Sequence, residues 1–110
     1  LAIILDRIVH RSVSTDNGEF LTYRNRIDEI DEALMELIAK RMEISREIGE
    51  LKRERGLTVF QPSRYDETMK RCVAYCERAK LDAEAMKDIF EAIHSESIRQ
   101  QLRIVNDEKH

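Results

Sequence analysis

Isoleucine and leucine recur at alternating steps of three and four residues through the first half of the chain. From Ile27 onward the series has eight positions, and seven of them are Ile or Leu: Ile27, Ile30, Leu34, Leu37, Ile44, Ile48 and Leu51. This spacing is typical of the apolar seam of a long α-helix packed against another helix. The eighth position is Arg41, whose charge is costly to bury unpaired. The pattern therefore predicts an anionic partner for Arg41, either a distant carboxylate or a bound anion.

The helix that carries this seam is predicted to run from about residue 22 to residue 55, with Gly56 as its C-terminal cap. At about 1.5 Å per residue it is roughly 50 Å long, whereas a compact domain of this size is about 26 Å across. The rest of the chain is too small to cover such a seam. We therefore expect a second copy of the chain to cover it, in a homodimer.

Two further helices are predicted after a loop at residues 57–62. The second helix covers about residues 64–79, with Ser63 as N-cap and Asp66 completing a weak capping box. Its predicted buried face is Tyr65, Met69, Cys72, Val73 and Cys76. The third helix covers about residues 83–104, is capped by Asp82, and is predicted to bury Met86, Ile89, Phe90, Ile93, Ser97 and Gln101. The last two positions of this stripe are polar. They are the second exception to an apolar pattern, after Arg41 in the first helix.

The first 19 residues are predicted to form a segment separate from the three helices. Residues 1–12 predict a short amphipathic helix, and a polar linker with turn-forming residues follows at residues 12–19. Because the chain also begins without Met, we expect residues 1–19 to belong to a preceding domain. Residues 20–110 are then the functional domain.

Composition favours an all-α fold and narrows the classes of function. The 110 residues include one Pro, three Gly and only 5% aromatic residues, which suits helices joined by short connections. A net charge of −3 argues against broad nucleic-acid binding, and no apolar run is long enough for a membrane span. Cys72 and Cys76 are best explained as small buried residues in a reducing cytoplasm. No further ligands stand at a matching spacing, so we expect neither a metal nor a cofactor.

Several cations can be placed around one anion site. Arg41 and Lys52 lie eleven residues apart, on the same helix face at a distance of about 16 Å. Arg24 is roughly 25 Å from Arg41 along the helix, so it reaches such a site only in the other copy of an antiparallel pair. Arg64, at the start of the second helix, can approach from the loop side. The competing interpretation is that each of these residues is an ordinary surface cation.

Other polar residues have equally simple explanations. Ser97 and Gln101 are explained as well by a buried helix–helix hydrogen bond as by a binding site. His94, beside their stripe, is assigned to the surface or to packing. We find no nucleophile–base arrangement, phosphate-binding loop or paired-carboxylate site.

The order of these elements resembles the all-helical class of chorismate mutase. The segments that carry the resemblance are RNRIDEIDEALMELIAKRMEISREIGELKRERG, RYDE and AIHSESIRQQ, within about residues 22–104. The resemblance implies three helices per chain, intertwined in a homodimer with two active sites. It also implies conversion of chorismate to prephenate, with substrate contacts from Arg24 of the other copy and from Arg41, Lys52, Arg64, Ser97 and Gln101.

Within that resemblance, Lys52 and Gln101 are the expected donors to the ether oxygen of chorismate, and the arginines bind its carboxylates. Two positions depart from the family pattern near the substrate hydroxyl. Gln61 replaces an acidic residue and is expected to act through its backbone, and Tyr65 replaces a glutamate and is expected to supply an O–H.

The RYDE and AIHSESIRQQ segments are most similar to mutase domains fused behind 3-deoxy-D-arabino-heptulosonate-7-phosphate synthase. A bifunctional synthase/mutase is therefore expected. Two alternatives stay open at this point: a ligand-sensing or dimerisation domain that controls an attached synthase, and an isochorismate pyruvate lyase.

Overall fold

The computed structural model describes residues 18–107, and within that range the fold is all-α. Its three helices are α1 (Gly18–Arg55), α2 (Pro62–Ala79) and α3 (Ala83–Asp107), and no strand occurs among them. This confirms the predicted all-α class and the very long first helix. The predicted helix at residues 1–12 lies outside the described residues. The predicted linker is wrong at its end, because Gly18 and Glu19 already belong to α1.

Two compact units make up the chain, residues 1–37 and 38–110. In the described part of the first unit, the seam residues Ile27, Ile30, Leu34 and Leu37 are all more than half exposed. In the second unit, Ile44, Ile48 and Leu51 are 40–58% exposed. The described part of a single chain thus leaves the whole apolar seam open to solvent, as expected.

A different face of α1 packs inside the second unit. Met42, Ser45 and Gly49 are its buried residues, at the steps of three and four that keep residues on one side of a helix. Ser97 and Gln101 are the buried residues of α3, and Cys72 and Cys76 those of α2. Both thiols are free. The core that the second unit builds for itself is therefore small and partly polar.

Helices α1 and α3 come close together at Gly49. A Cβ built at Gly49 would lie 3.2 Å from Cα of Gln101 and 3.3 Å from its Cγ. Gly49 has ordinary helical backbone angles, so its conformation does not require glycine. The close approach of α3 does. The absent side chain allows Gln101 to sit directly against α1.

We expect Gly49→Ala to lower the melting temperature. Since Cα of Gln101 belongs to a helix backbone, the added methyl group must displace α3 by a few tenths of an ångström. Overpacking costs about 1–3 kcal/mol, which exceeds the helix propensity of about 1 kcal/mol that Ala gains over Gly. Thermal denaturation, monitored by circular dichroism, shows whether the overpacking cost exceeds the gain in helix propensity. Gly18→Ala is the matched control, since nothing lies within 4 Å of its Cβ; equal stability of both variants would contradict the tight packing.

The end of α1 follows its local sequence. Gly56 adopts φ +65°, and the N–H groups of Gly56 and Leu57 donate to the carbonyls of Arg53 and Lys52. This Schellman geometry confirms Gly56 as the C-terminal cap. It places Lys52 in the last turn of α1, beside the loop to α2.

The start of α2 differs from the prediction. Ser63 is not the N-cap, and Asp66 does not complete a capping box: Gln61 is the N-cap, in an extended conformation without a side-chain cap. Pro62 is the reason, because its fixed φ and missing N–H suit the first position of a helix. The carbonyl of Gln61 accepts the N–H groups of Arg64 and Tyr65.

The third helix keeps its predicted cap but buries a narrower face. The Asp82 carboxylate accepts the N–H of Ala85 at 2.9 Å, which confirms the cap. Ser97 and Gln101 are buried, and Met86, Phe90 and Ile93 are half-buried. Ile89, however, is 51% exposed, so its predicted burial is wrong. Successive residues of a helix point about 100° apart, and the packed line runs through Phe90 instead.

No helix in the range 18–107 combines the length and apolarity needed to cross a membrane.

Candidate active site

A cavity of about 370 Å³ opens in the second unit, between the end of α1, the following loop, α2 and α3. The described residues around it include three cations and no Asp or Glu. Its lining consists of Arg41, Ile44, Ser45, Ile48, Lys52, Val59, Gln61, Arg64, Thr68, His94, Ser97, Ile98 and Gln101. Such a lining suits a small anion with apolar parts.

Arg41 is half-buried, and a hydroxyl rather than a carboxylate is its partner. One of its terminal nitrogens donates to Oγ of Ser97 at 3.0 Å. Burial lowers the pKa of Arg41, and the nearby positive charges of Arg64 and Arg71 lower it further. None of the ion pairs within residues 18–107 involves Arg41. Of the two partners predicted for Arg41, residues 18–107 of the same chain supply no carboxylate, and the bound anion stays a prediction.

Lys52 is held in the cavity by two hydrogen bonds. Its ammonium group donates to Oε1 of Gln101 at 2.8 Å and to the carbonyl of Val59. Burial lowers its pKa. Because an ammonium group has three N–H bonds and no acceptor, one N–H remains for a ligand.

Gln101 connects Lys52 to a buried serine. Its Nε2 donates to Oγ of Ser45 at 2.9 Å, and the Ser45 hydroxyl donates to the carbonyl of Ser97. Since Lys52 can only donate, Oε1 of Gln101 must face it, and the orientation of the amide follows. This network holds Lys52, Ser97 and Gln101 in one arrangement between α1 and α3.

Residues at the start of α2 line the opposite side of the cavity. Arg64 and Gln61 are exposed there, and Thr68 lies one helical turn after Arg64. The Thr68 hydroxyl donates to the carbonyl of Arg64 at 3.1 Å. The exposed guanidinium of Arg64 can thus reach a ligand that also contacts Arg41.

Two predicted site residues are not part of this lining. Tyr65 packs its ring on His94, with centroids 4.7 Å apart, and is not among the described residues around the cavity. Arg24 lies in the first unit and is exposed. Its predicted role in the site of another copy stays a prediction.

Several lining residues were not assigned to a site from the sequence, among them Ser45, Val59, Thr68 and His94. Ser45 carried a usable signal, because it is four residues after Arg41 and seven before Lys52 on the same helix face. Val59 acts through its backbone carbonyl, which no side-chain pattern reveals. The ring contacts of His94 confirm its packing role, but His94 also lines the cavity.

No group of metal-ligating side chains occurs among residues 18–107.

The chain is similar in sequence to proteins of known family. A family model described as chorismate mutase type II matches residues 23–102. Over 80 residues the chain is 30% identical to the T-protein of Enterobacter agglomerans, and over 74 residues it is 30% identical to the T-protein of Haemophilus influenzae. It is also 28% identical over 80 residues to the chorismate mutase of Methanocaldococcus jannaschii.

The alignments cover about two thirds or more of this chain, but very different fractions of the relatives. The alignments cover 73%, 67% and 71% of this chain, in the same order. They span 21% and 20% of the two T-proteins, but 81% of the archaeal chorismate mutase. The family match takes in the long helix from residue 23 onward and every cavity-lining residue named above. The chain belongs to the chorismate mutase type II family.

Proposed function

We propose that the chain is an isomerase that converts chorismate to prephenate, a step of aromatic amino-acid biosynthesis. One observation carries the proposal: two cations of α1, Arg41 and Lys52, are held in one cavity by Ser97 and Gln101 of α3. Membership of the family and similarity to an archaeal protein named chorismate mutase support it.

The chemistry of this reaction fits a cavity of donors without a nucleophile. Chorismate carries two carboxylates, a ring hydroxyl and an ether. In the rearrangement the ether C–O bond breaks while a C–C bond forms within the same molecule. No group leaves, so neither a general base nor a metal is required. The protein has to hold the reactive conformer and stabilise the charge that develops on the ether oxygen.

The carboxylates are assigned to the arginines. A planar guanidinium presents paired N–H groups that match a carboxylate better than an ammonium group does. Arg41 and Arg64 approach the cavity from α1 and from α2, so they can bind separate carboxylates. Ser97 orients Arg41 through its hydroxyl. These contacts are present before and during the reaction, so they contribute mainly to substrate binding.

The ether oxygen is assigned to Lys52 and Gln101. Each retains one unused N–H: Lys52 after its bonds to Gln101 and Val59, and Gln101 after its bond to Ser45. Charge grows on the ether oxygen only as the bond breaks. Donors aimed at it therefore act more strongly on the transition state than on bound substrate.

Gln61 and Tyr65 are assigned to the neighbourhood of the ring hydroxyl. The Gln61 carbonyl already accepts two N–H groups at the start of α2, so its backbone N–H, the group expected from the sequence, and its exposed side-chain amide are left to reach a ligand. Tyr65 supports the adjacent His94 ring from the side.

A homodimer with shared active sites completes the proposal. The seven Ile and Leu residues of the α1 seam are each at least 40% exposed, and their regular spacing suits a second, antiparallel copy. In such a pair Arg24 of one copy comes near the Arg41–Lys52 half of the other. The guanidinium of Arg24 would be the third in the site and would add a further contact for a carboxylate.

Attachment of residues 1–19 to a preceding synthase domain, and location in the cytoplasm, stay predictions. The geometry of the described residues and the similar proteins favour neither the ligand-sensing domain nor the isochorismate lyase.

The direct test is to incubate the chain with chorismate and follow prephenate by chromatography. We expect catalysed formation of prephenate, and we expect Arg41→Ala to lose most of this activity because the anion loses its main partner. Isochorismate serves as the second substrate. Release of pyruvate from isochorismate without any prephenate from chorismate would contradict the mutase and support the lyase.

A further inference from the structure

His94 occupies a defined place in the cavity wall. It lies on α3, three residues before Ser97, and is half-buried. Its ring meets Tyr65 edge-on with centroids 4.7 Å apart, and it meets Phe60 at 5.8 Å with an interplanar angle of 74°. These two rings, one from α2 and one from the loop before it, hold the imidazole in one orientation.

One nitrogen of this imidazole lacks a partner. Nε2 is buried, and no group of the described residues forms a hydrogen bond with it. Leaving a buried polar atom unpaired is costly, and nearly all such atoms in folded proteins are paired. His94 lines the cavity, so a ligand there that reached Nε2 would remove this cost.

The surroundings of His94 keep it neutral at pH 7. Burial lowers its pKa most, the positive charges of Arg41 and Lys52 lower it further, and Glu91 acts in the opposite direction. Below this lowered pKa the ring would gain a proton and lose its free lone pair. At pH 7 it therefore keeps one nitrogen as a hydrogen-bond acceptor.

Acceptors are scarce elsewhere in this cavity. Its three cations can only donate hydrogen bonds. Oε1 of Gln101 and the carbonyl of Val59 already accept from Lys52, and Oγ of Ser97 accepts from Arg41. Carboxylates and an ether find donors here, but a hydroxyl needs an acceptor to receive its proton.

We propose that His94 is a specificity-determining residue of this site, whose Nε2 accepts a hydrogen bond from the ring hydroxyl of chorismate. The assignment rests on the proposed function. Gln61 and Thr68 also line the cavity, but Gln61 is exposed and the Thr68 hydroxyl already donates to the carbonyl of Arg64, so their polar groups gain less from a ligand. Nε2 of His94 is the one buried side-chain nitrogen or oxygen among the described lining residues that has no hydrogen-bond partner, and it is an acceptor when the ring proton is on Nδ1.

The test compares chorismate with an analogue in which hydrogen replaces the ring hydroxyl. In the full chain, His94→Leu should lower kcat/KM for chorismate by about 10-fold, the effect of one lost hydrogen bond. The same variant should change kcat/KM for the deoxy analogue by less than about 2-fold. His94→Gln supplies an amide oxygen and should retain a preference for the hydroxylated substrate. Melting temperatures show whether each variant is folded.

Different failures separate the two proposals. If the parent chain does not convert chorismate, the proposed function is wrong, and the role of His94 with it. If the parent is active but His94→Leu lowers kcat/KM equally for both substrates, His94 only packs, and the specificity role is overturned. Loss of hydroxyl preference in Tyr65→Phe, with its retention in His94→Leu, would overturn it as well and assign the hydroxyl to Tyr65.

Discussion

Replacing Lys52 by alanine should lower kcat by about 10²-fold or more, the scale for loss of one donor to a developing oxyanion. The variant removes the N–H assigned to the ether oxygen. It also leaves Oε1 of Gln101 without the donor that orients it. Both losses act where charge develops, so KM should change less than kcat. Steady-state kinetics with chorismate give both constants.

The matched control for this variant is Lys40→Ala, because Lys40 is an exposed lysine of the same helix and does not line the cavity. It should change stability by less than about 0.5 kcal/mol and leave kcat unaltered. Unchanged turnover in folded Lys52→Ala would remove Lys52 from the reaction and weaken the mutase assignment. A change confined to KM would leave Lys52 as an anion-binding residue without the role at the ether oxygen.

Site residues that interrupt an apolar pattern could be found from the sequence. Arg41 stands in a seam of Ile and Leu, and Ser97 and Gln101 end an apolar stripe, because a cavity for an anion needs polar groups on faces that are otherwise buried. The structure places these three residues around one cavity. Gly56 and Asp82 were also predictable, since each cap forms with residues of its own helix end. The same reasoning was wrong at Ser63, because Pro62 already starts α2.

Features that depend on contact between helices could not be found in this way. The strongest apolar periodicity of α1 belongs to the exposed seam, whereas the face against α3 uses Ser45 and Gly49, whose small size permits close approach. A search for apolar residues at helical spacing does not detect a face made of such small residues. The exposure of Ile89 has the same origin, since the packed side of α3 is set by its neighbours. The acceptor role proposed for His94 depends on which of its atoms find partners, and spacing carries no information about that.

The second large effect concerns Arg24, which we expect to act in the site of the other copy. Arg24→Ala and Arg41→Ala should each be nearly inactive alone. In a heterodimer of the two, the site built on the Arg24→Ala chain has an intact Arg41 and receives an intact Arg24 from its partner. Both lesions fall in the other site. With random pairing of equal amounts, half of the dimers are mixed and each holds one intact site, so roughly a quarter of the parent activity should return.

Arg41→Ala mixed with Lys52→Ala is the matched negative control. Both residues line the cavity of a single chain, so every mixed dimer retains a lesion in each site and activity should not return. The chains are refolded together, one of them tagged, so that mixed dimers can be isolated and their mass measured by sedimentation. Inactive mixed dimers of the Arg24 and Arg41 variants would show that Arg24 does not act across the interface. An active parent that sediments as a monomer would contradict both the shared site and the pairing of the exposed α1 seam with a second copy.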